Sequence, residues 1–130
     1  MLEERIQKEL DLLRTRYNVE FVEEGRWARI ASYPLPPGWN RPVTDVAFQV
    51  LVGYPGTPPY GIYVPVGIVF NSQPPDNYKE PAPTQPPFGG TWGIFSWQPD
   101  GQWRATADII SGSNLINWVI GFAGRFGEGR

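Results

Sequence analysis

Residues Tyr54-Pro55-Gly56-Thr57-Pro58-Pro59 constrain the fold more than any other stretch of this chain. Each proline holds its own φ at about −65° and pushes the residue before it toward extended geometry, so most of the segment is a stiff bend. Apolar runs with strand character lie on both sides, which makes the bend the close of one strand and the approach to the next. If one X-Pro bond of the bend is cis, Pro58–Pro59 is the expected place.

The elements around the bend follow from periodicity. Leu2, Ile6, Leu10, Leu13 and Tyr17 recur at spacings of three and four, which predicts a helix over residues 2–17 with one apolar stripe and its acids and bases on the solvent side. Glu4 and Lys8 form an i,i+4 pair of the favourable order. Residues 19–22 and 26–30 read as a hairpin through Glu23-Glu24-Gly25, and residues 43–52 as the strongest strand. Trp39, after a proline-rich connection, is expected to cover the edge of a core. Residues 61–70 are a strand that Pro65 interrupts.

Prolines 74, 75, 81, 83, 86 and 87 make residues 71–90 a long irregular surface loop. Trp92, Phe95, Trp97 and Trp103 read as one aromatic cluster beneath it. Ser113 is the expected N-cap of a last helix carrying Leu115, Ile116, Trp118, Val119, Phe122 and Phe126, with Gly121 and Gly124 allowing close packing on the sheet and a flexible glycine-containing tail at the end. Helix, about four antiparallel strands, an irregular region and a helix give an α+β fold in one domain, 1–130.

Composition removes whole classes of chemistry. The chain has no cysteine and no histidine, so disulfides, thiolate catalysis and histidine general bases are excluded, and no metal or other cofactor is expected. A net charge of −2 with scattered basic residues gives no nucleic-acid surface. No run of about 18 apolar residues exists, so no membrane span is expected, and with no signal-peptide pattern the expected compartment is the cytoplasm. Isolated acids such as Asp76, Glu80, Asp100 and Asp108 share no short motif for acid–base work.

The order of elements, with Tyr54, Pro55, Pro58 and Pro59 in a turn after the third strand and Trp103 before the last helix, resembles the ubiquitin-conjugating enzyme fold, and most of all its bacterial branch. The resemblance implies an N-terminal helix, a four-stranded antiparallel meander, a long irregular Pro/Trp-rich segment and a crossing C-terminal helix. It also implies a cysteine nucleophile some residues before the tryptophan, which this chain lacks. Ser96 is the only candidate nucleophile by position, and a serine needs a base. Lys79 or Asp100 would have to serve, and no spacing supports either. Asn71 precedes rather than follows Pro74, so the family's oxyanion role is not carried onto it.

The expected function is therefore that of a non-catalytic binding or adaptor subunit in a bacterial ubiquitin-like conjugation pathway. Its implied partners are a ubiquitin-like protein, an activating enzyme, or both. Glu4, Arg5, Lys8 and Asp11 on the first helix are the implied docking residues, and on this reading reversing Arg5 and Lys8 to glutamate leaves stability nearly unchanged. The alternatives are a conjugating enzyme that forms an oxyester on Ser96, and a stand-alone α+β binding module with an unrelated ligand.

Overall fold

The computed structural model describes residues 3–98 and 103–129; Leu2 and Asp100 lie outside them. Its elements are α1 (Glu4–Arg14), β1 (Val19–Val22), β2 (Trp27–Pro34), β3 (Val43–Gln49), β4 (Ile62–Pro65), β5 (Tyr78–Lys79), β6 (Trp92–Phe95) and α2 (Leu115–Glu128). The sheet is antiparallel, in the order β1-β2-β3-β4-β6-β5.

The four-stranded meander is present as β1 to β4, but the sheet has six strands rather than four. The two extra strands come from the region read as irregular. Trp92–Phe95 pairs along all of β4, and Tyr78–Lys79 adds to its far side. Short strands beside prolines and glycines carry too little alternation to be read as strands from sequence.

Period-two alternation decides which side chains meet which layer. Ala28 and Ile30 of β2, Val46 and Phe48 of β3, Ile62 and Val64 of β4 and Phe95 of β6 face both helices. There they bury Ile6, Leu10 and Leu13 of α1 and Leu115, Trp118, Val119, Phe122 and Phe126 of α2. Trp27, Ala47 and Trp92 point to the other face, where Phe88 of the proline-rich segment covers them. The β1–β2 connection turns at Gly25, whose φ of 75° is open to glycine at little cost. Trp39 closes one end of the core as expected, packing edge-on to Phe70, Phe95 and Phe126 and donating its indole N–H to the Phe126 carbonyl.

Residues 71–90 are not a free surface loop. Ala82, Pro86 and Phe88 are buried, the Ala82 amide donates to the Trp92 carbonyl, and the Gln85 side chain bonds the Trp92 backbone at both N–H and C=O. Arg29 stacks over the Phe88 ring from the sheet side. The aromatic cluster also divides. Trp92 lies on the second face, whereas Phe95, Trp97 and Trp103 all join the helix-side core, Trp103 by packing against Tyr54.

The last helix starts one residue later than expected. Asn114 is its N-cap, accepting from the Asn117 amide at 2.8 Å, while the Ser113 hydroxyl accepts from the Arg104 amide. Of the two glycines only Gly121 makes a close approach: a Cβ there would lie 3.1 Å from the Trp97 ring, whereas Gly124 faces open space. The tail is not loose either. The helix runs to Glu128, and the buried Arg125 donates to the Gly129 and Asp76 carbonyls while stacking over Phe95. Among the described residues the cis bonds are Tyr54–Pro55, in the bend, and Glu80–Pro81; Pro58–Pro59 is not cis.

Candidate functional site

A groove of about 720 Å³ opens where α1, the proline bend and the segment before α2 meet. Arg5 forms one wall, Pro55 and Gly56 a second, and Trp103, Arg104, Ala105, Thr106 and Ala107 the third. A smaller depression of about 240 Å³, lined by Glu4, Arg5, Lys8, Ala107 and Ile109, continues it along α1.

The walls are locked by named contacts. The Trp103 indole N–H donates to the Pro55 carbonyl at 2.8 Å, and its ring lies 6.0 Å from that of Tyr54. Arg5 donates through Nη1 to the Thr106 carbonyl, tying α1 to the opposite wall. Beneath the groove lies Glu9, only 1% exposed. Its carboxylate accepts from Arg5 Nε at 2.8 Å, from the Tyr54 hydroxyl at 2.6 Å and from the Leu115 amide at 2.7 Å. One carboxylate thus satisfies a cation, a phenol and the first amide of α2, where negative charge also suits the helix dipole. Burial, and then the hydrogen bond to Glu9, push the Tyr54 hydroxyl well above its ordinary pKa, so it remains a donor.

Tyr54, Pro55, Trp103 and Arg5, singled out in sequence for separate reasons, are brought together here. Tyr54 and Pro59 are buried, Pro58 is half-buried, and Pro55 is half-buried at the groove wall. The α1 residues do not behave as one charged face. Glu4 and Lys8 pair at 3.0 Å and are well exposed, and Asp11 bonds Gln7 and pairs loosely with Arg14. Arg5 is different, with only 19% of its side chain exposed and its charge committed to Glu9. It is not a free steering charge, and reversing it would place two carboxylates together in a buried setting. Arg5 is thus not the solvent-facing charge expected from the sequence, and its reversal is now expected to lower stability rather than leave it nearly unchanged.

Glu9 itself was assigned to the solvent side of α1, and it is the residue sequence reasoning missed. The signal is present: Glu9 lies three residues after Ile6 and four before Leu13, on the apolar stripe, and four after Arg5.

Ser96 follows β6 and is exposed; its backbone amide donates to the Asn77 carbonyl. Among the described residues no side chain hydrogen-bonds its hydroxyl, and Lys79 is held on β5 opposite Ile94. Asn71 lies in a turn with its amide on the Gly38 carbonyl. The scattered acids stay apart: Glu80 serves Tyr78 and the Gly67 amide, Asp108 serves Ser111 and the Ile110 amide, and Asp76 lies near Arg125. Among the described residues no group of three acids, histidines or cysteines could hold a metal ion, and no helix is long and apolar enough to cross a membrane.

Comparison with known proteins returns no relative: no protein-family model, no curated protein and no solved structure matches this chain.

Proposed function

We propose that this protein is a non-catalytic docking module of ubiquitin-conjugating-like architecture. It would serve as a binding or adaptor subunit in a bacterial ubiquitin-like conjugation pathway, with an activating enzyme or a ubiquitin-like protein as partner. The observation that carries the reading is the convergence of α1, the Tyr-Pro-x-x-Pro-Pro bend and Trp103 on one groove, in a chain without cysteine or histidine. Support comes also from the meander order of β1 to β4 and from the rigid walls, because a preformed groove loses little freedom on binding. Ser96 lacks an activating base among the described residues, which disfavours the oxyester alternative.

Ala107→Arg tests the groove. Ala107 is exposed and lines both depressions, so an arginine there fills the groove without entering the core. The melting temperature is expected to stay within a few degrees, since surface changes usually cost under about 0.5 kcal/mol. Affinity for the cognate activating enzyme or ubiquitin-like protein, measured by biolayer interferometry, is expected to fall about tenfold or more. Unchanged affinity, or no binding of either protein to the wild type, would reject the reading.

A further inference from the structure

We infer that Glu9 couples the groove to helix α2, so that whatever engages Arg5 is felt at the first turn of that helix. The inference rests on reading the groove as the docking face and adds how that face is regulated.

The geometry is a buried junction of three elements. Glu9 Oε2 takes the Arg5 guanidinium, and Glu9 Oε1 takes both the Tyr54 hydroxyl and the Leu115 amide. Leu115 is fully buried, so without Glu9 its amide would be an orphaned donor at the start of α2. Arg5 reaches beyond Glu9 to the Thr106 carbonyl in the groove wall, and its Nη2 is buried without a hydrogen-bond partner. Nη2 thus has no acceptor in this arrangement, and an acceptor on a bound molecule would draw the guanidinium away from Glu9. Moving Arg5 toward a bound partner withdraws the cation that balances a buried carboxylate, and that carboxylate must then rely on Tyr54 and the Leu115 amide. Glu9 does not line the groove and is buried behind Arg5; it is a positioning residue. By linkage the effect runs both ways: loosening the first turn of α2 must alter how Arg5 is held.

Nitrogen-15 NMR of the free protein tests the coupling without any partner. Arg5→Lys, which keeps a charge but loses the Nε contact, perturbs the groove end. Its expected effect is about tenfold faster hydrogen exchange at the Leu115 amide relative to the mid-helix Phe122 amide. Asn114→Ala perturbs the helix end, and the Arg5 Nε–H resonance is expected to shift while the Trp92 indole resonance stays in place. In a Glu9→Gln background both cross-effects are expected to vanish. An unchanged Leu115:Phe122 exchange ratio in Arg5→Lys, or an unmoved Arg5 Nε–H in Asn114→Ala, overturns the coupling, as does persistence of either effect without Glu9. If Glu9→Gln fails to fold, the two single variants still decide. Because all readings come from the free protein, failure here is separable from failure of the docking reading, which Ala107→Arg decides.

Discussion

Glu9 and its three donors set the energetics at the scale of single residues. Removing one member of a buried ion pair typically costs about 3–5 kcal/mol, whereas an exposed helix pair contributes only about 0.3–0.5 kcal/mol. Arg5→Glu is therefore expected to lower the denaturant midpoint strongly, and Lys8→Glu, on the well-exposed partner of Glu4, to leave it nearly unchanged. Equal, small effects from both would contradict the buried role of Arg5. Tyr33 gives a pH prediction. It is buried, donates to the Val119 carbonyl at 2.8 Å, and burial raises its pKa from 10.0 to about 12. A raised pKa means that the native state keeps a proton the unfolded chain releases. The contribution is present in full below pH 10 and is lost as pH rises from 10 through about 12. Stability in that window is expected to fall by up to about 1.4 kcal/mol per pH unit for this tyrosine, and Tyr54 shifts in the same direction. Urea midpoints across the window should decline less steeply in Tyr33→Phe; an equal slope would remove Tyr33 as a cause.

At the scale of elements, the proline-rich segment is a strap on the second face of the sheet rather than a connector in solvent. Phe88 covers Trp27, Ala47 and Trp92, and Gln85 holds the strap to the Trp92 backbone. Phe88→Ala is expected to cost about 3 kcal/mol and to free the strap for trypsin cleavage after the exposed Lys79, which the native protein should resist. Cleavage at the same rate in both would show that Phe88 does not hold the strap. This covering was not legible in the sequence. Prolines 81, 83, 86 and 87 leave no period to follow, and Phe88 packs on Trp27, Ala47 and Arg29, which lie far from it in the chain. The elements with a clean period were legible: α1 from Ile6, Leu10 and Leu13, β3 from Val46 and Phe48, and α2 from Trp118, Val119, Phe122 and Phe126. The groove was half legible. Its parts stood out as the rigid bend, as Trp103 and as the α1 charges, but their meeting depends on long-range pairings that no local pattern records, and Glu9 was hidden by the habit of reading charge as exposure.

For the whole molecule, the parts converge on a scaffold with a preformed groove and no activated nucleophile among the described residues. Two layers hold it: helices α1 and α2 on one face of the sheet, and the strap on the other. Under the docking role proposed above, the protein holds partners together and leaves the covalent chemistry to them. The most direct test mixes the protein with a cognate activating enzyme, ATP and the ubiquitin-like protein, and separates the products by denaturing and by native electrophoresis. The account predicts a complex on the native gel and no adduct of this protein on the denaturing gel. A denaturing-gel band that resists thiols, is cleaved by mild base and disappears in Ser96→Ala would contradict it.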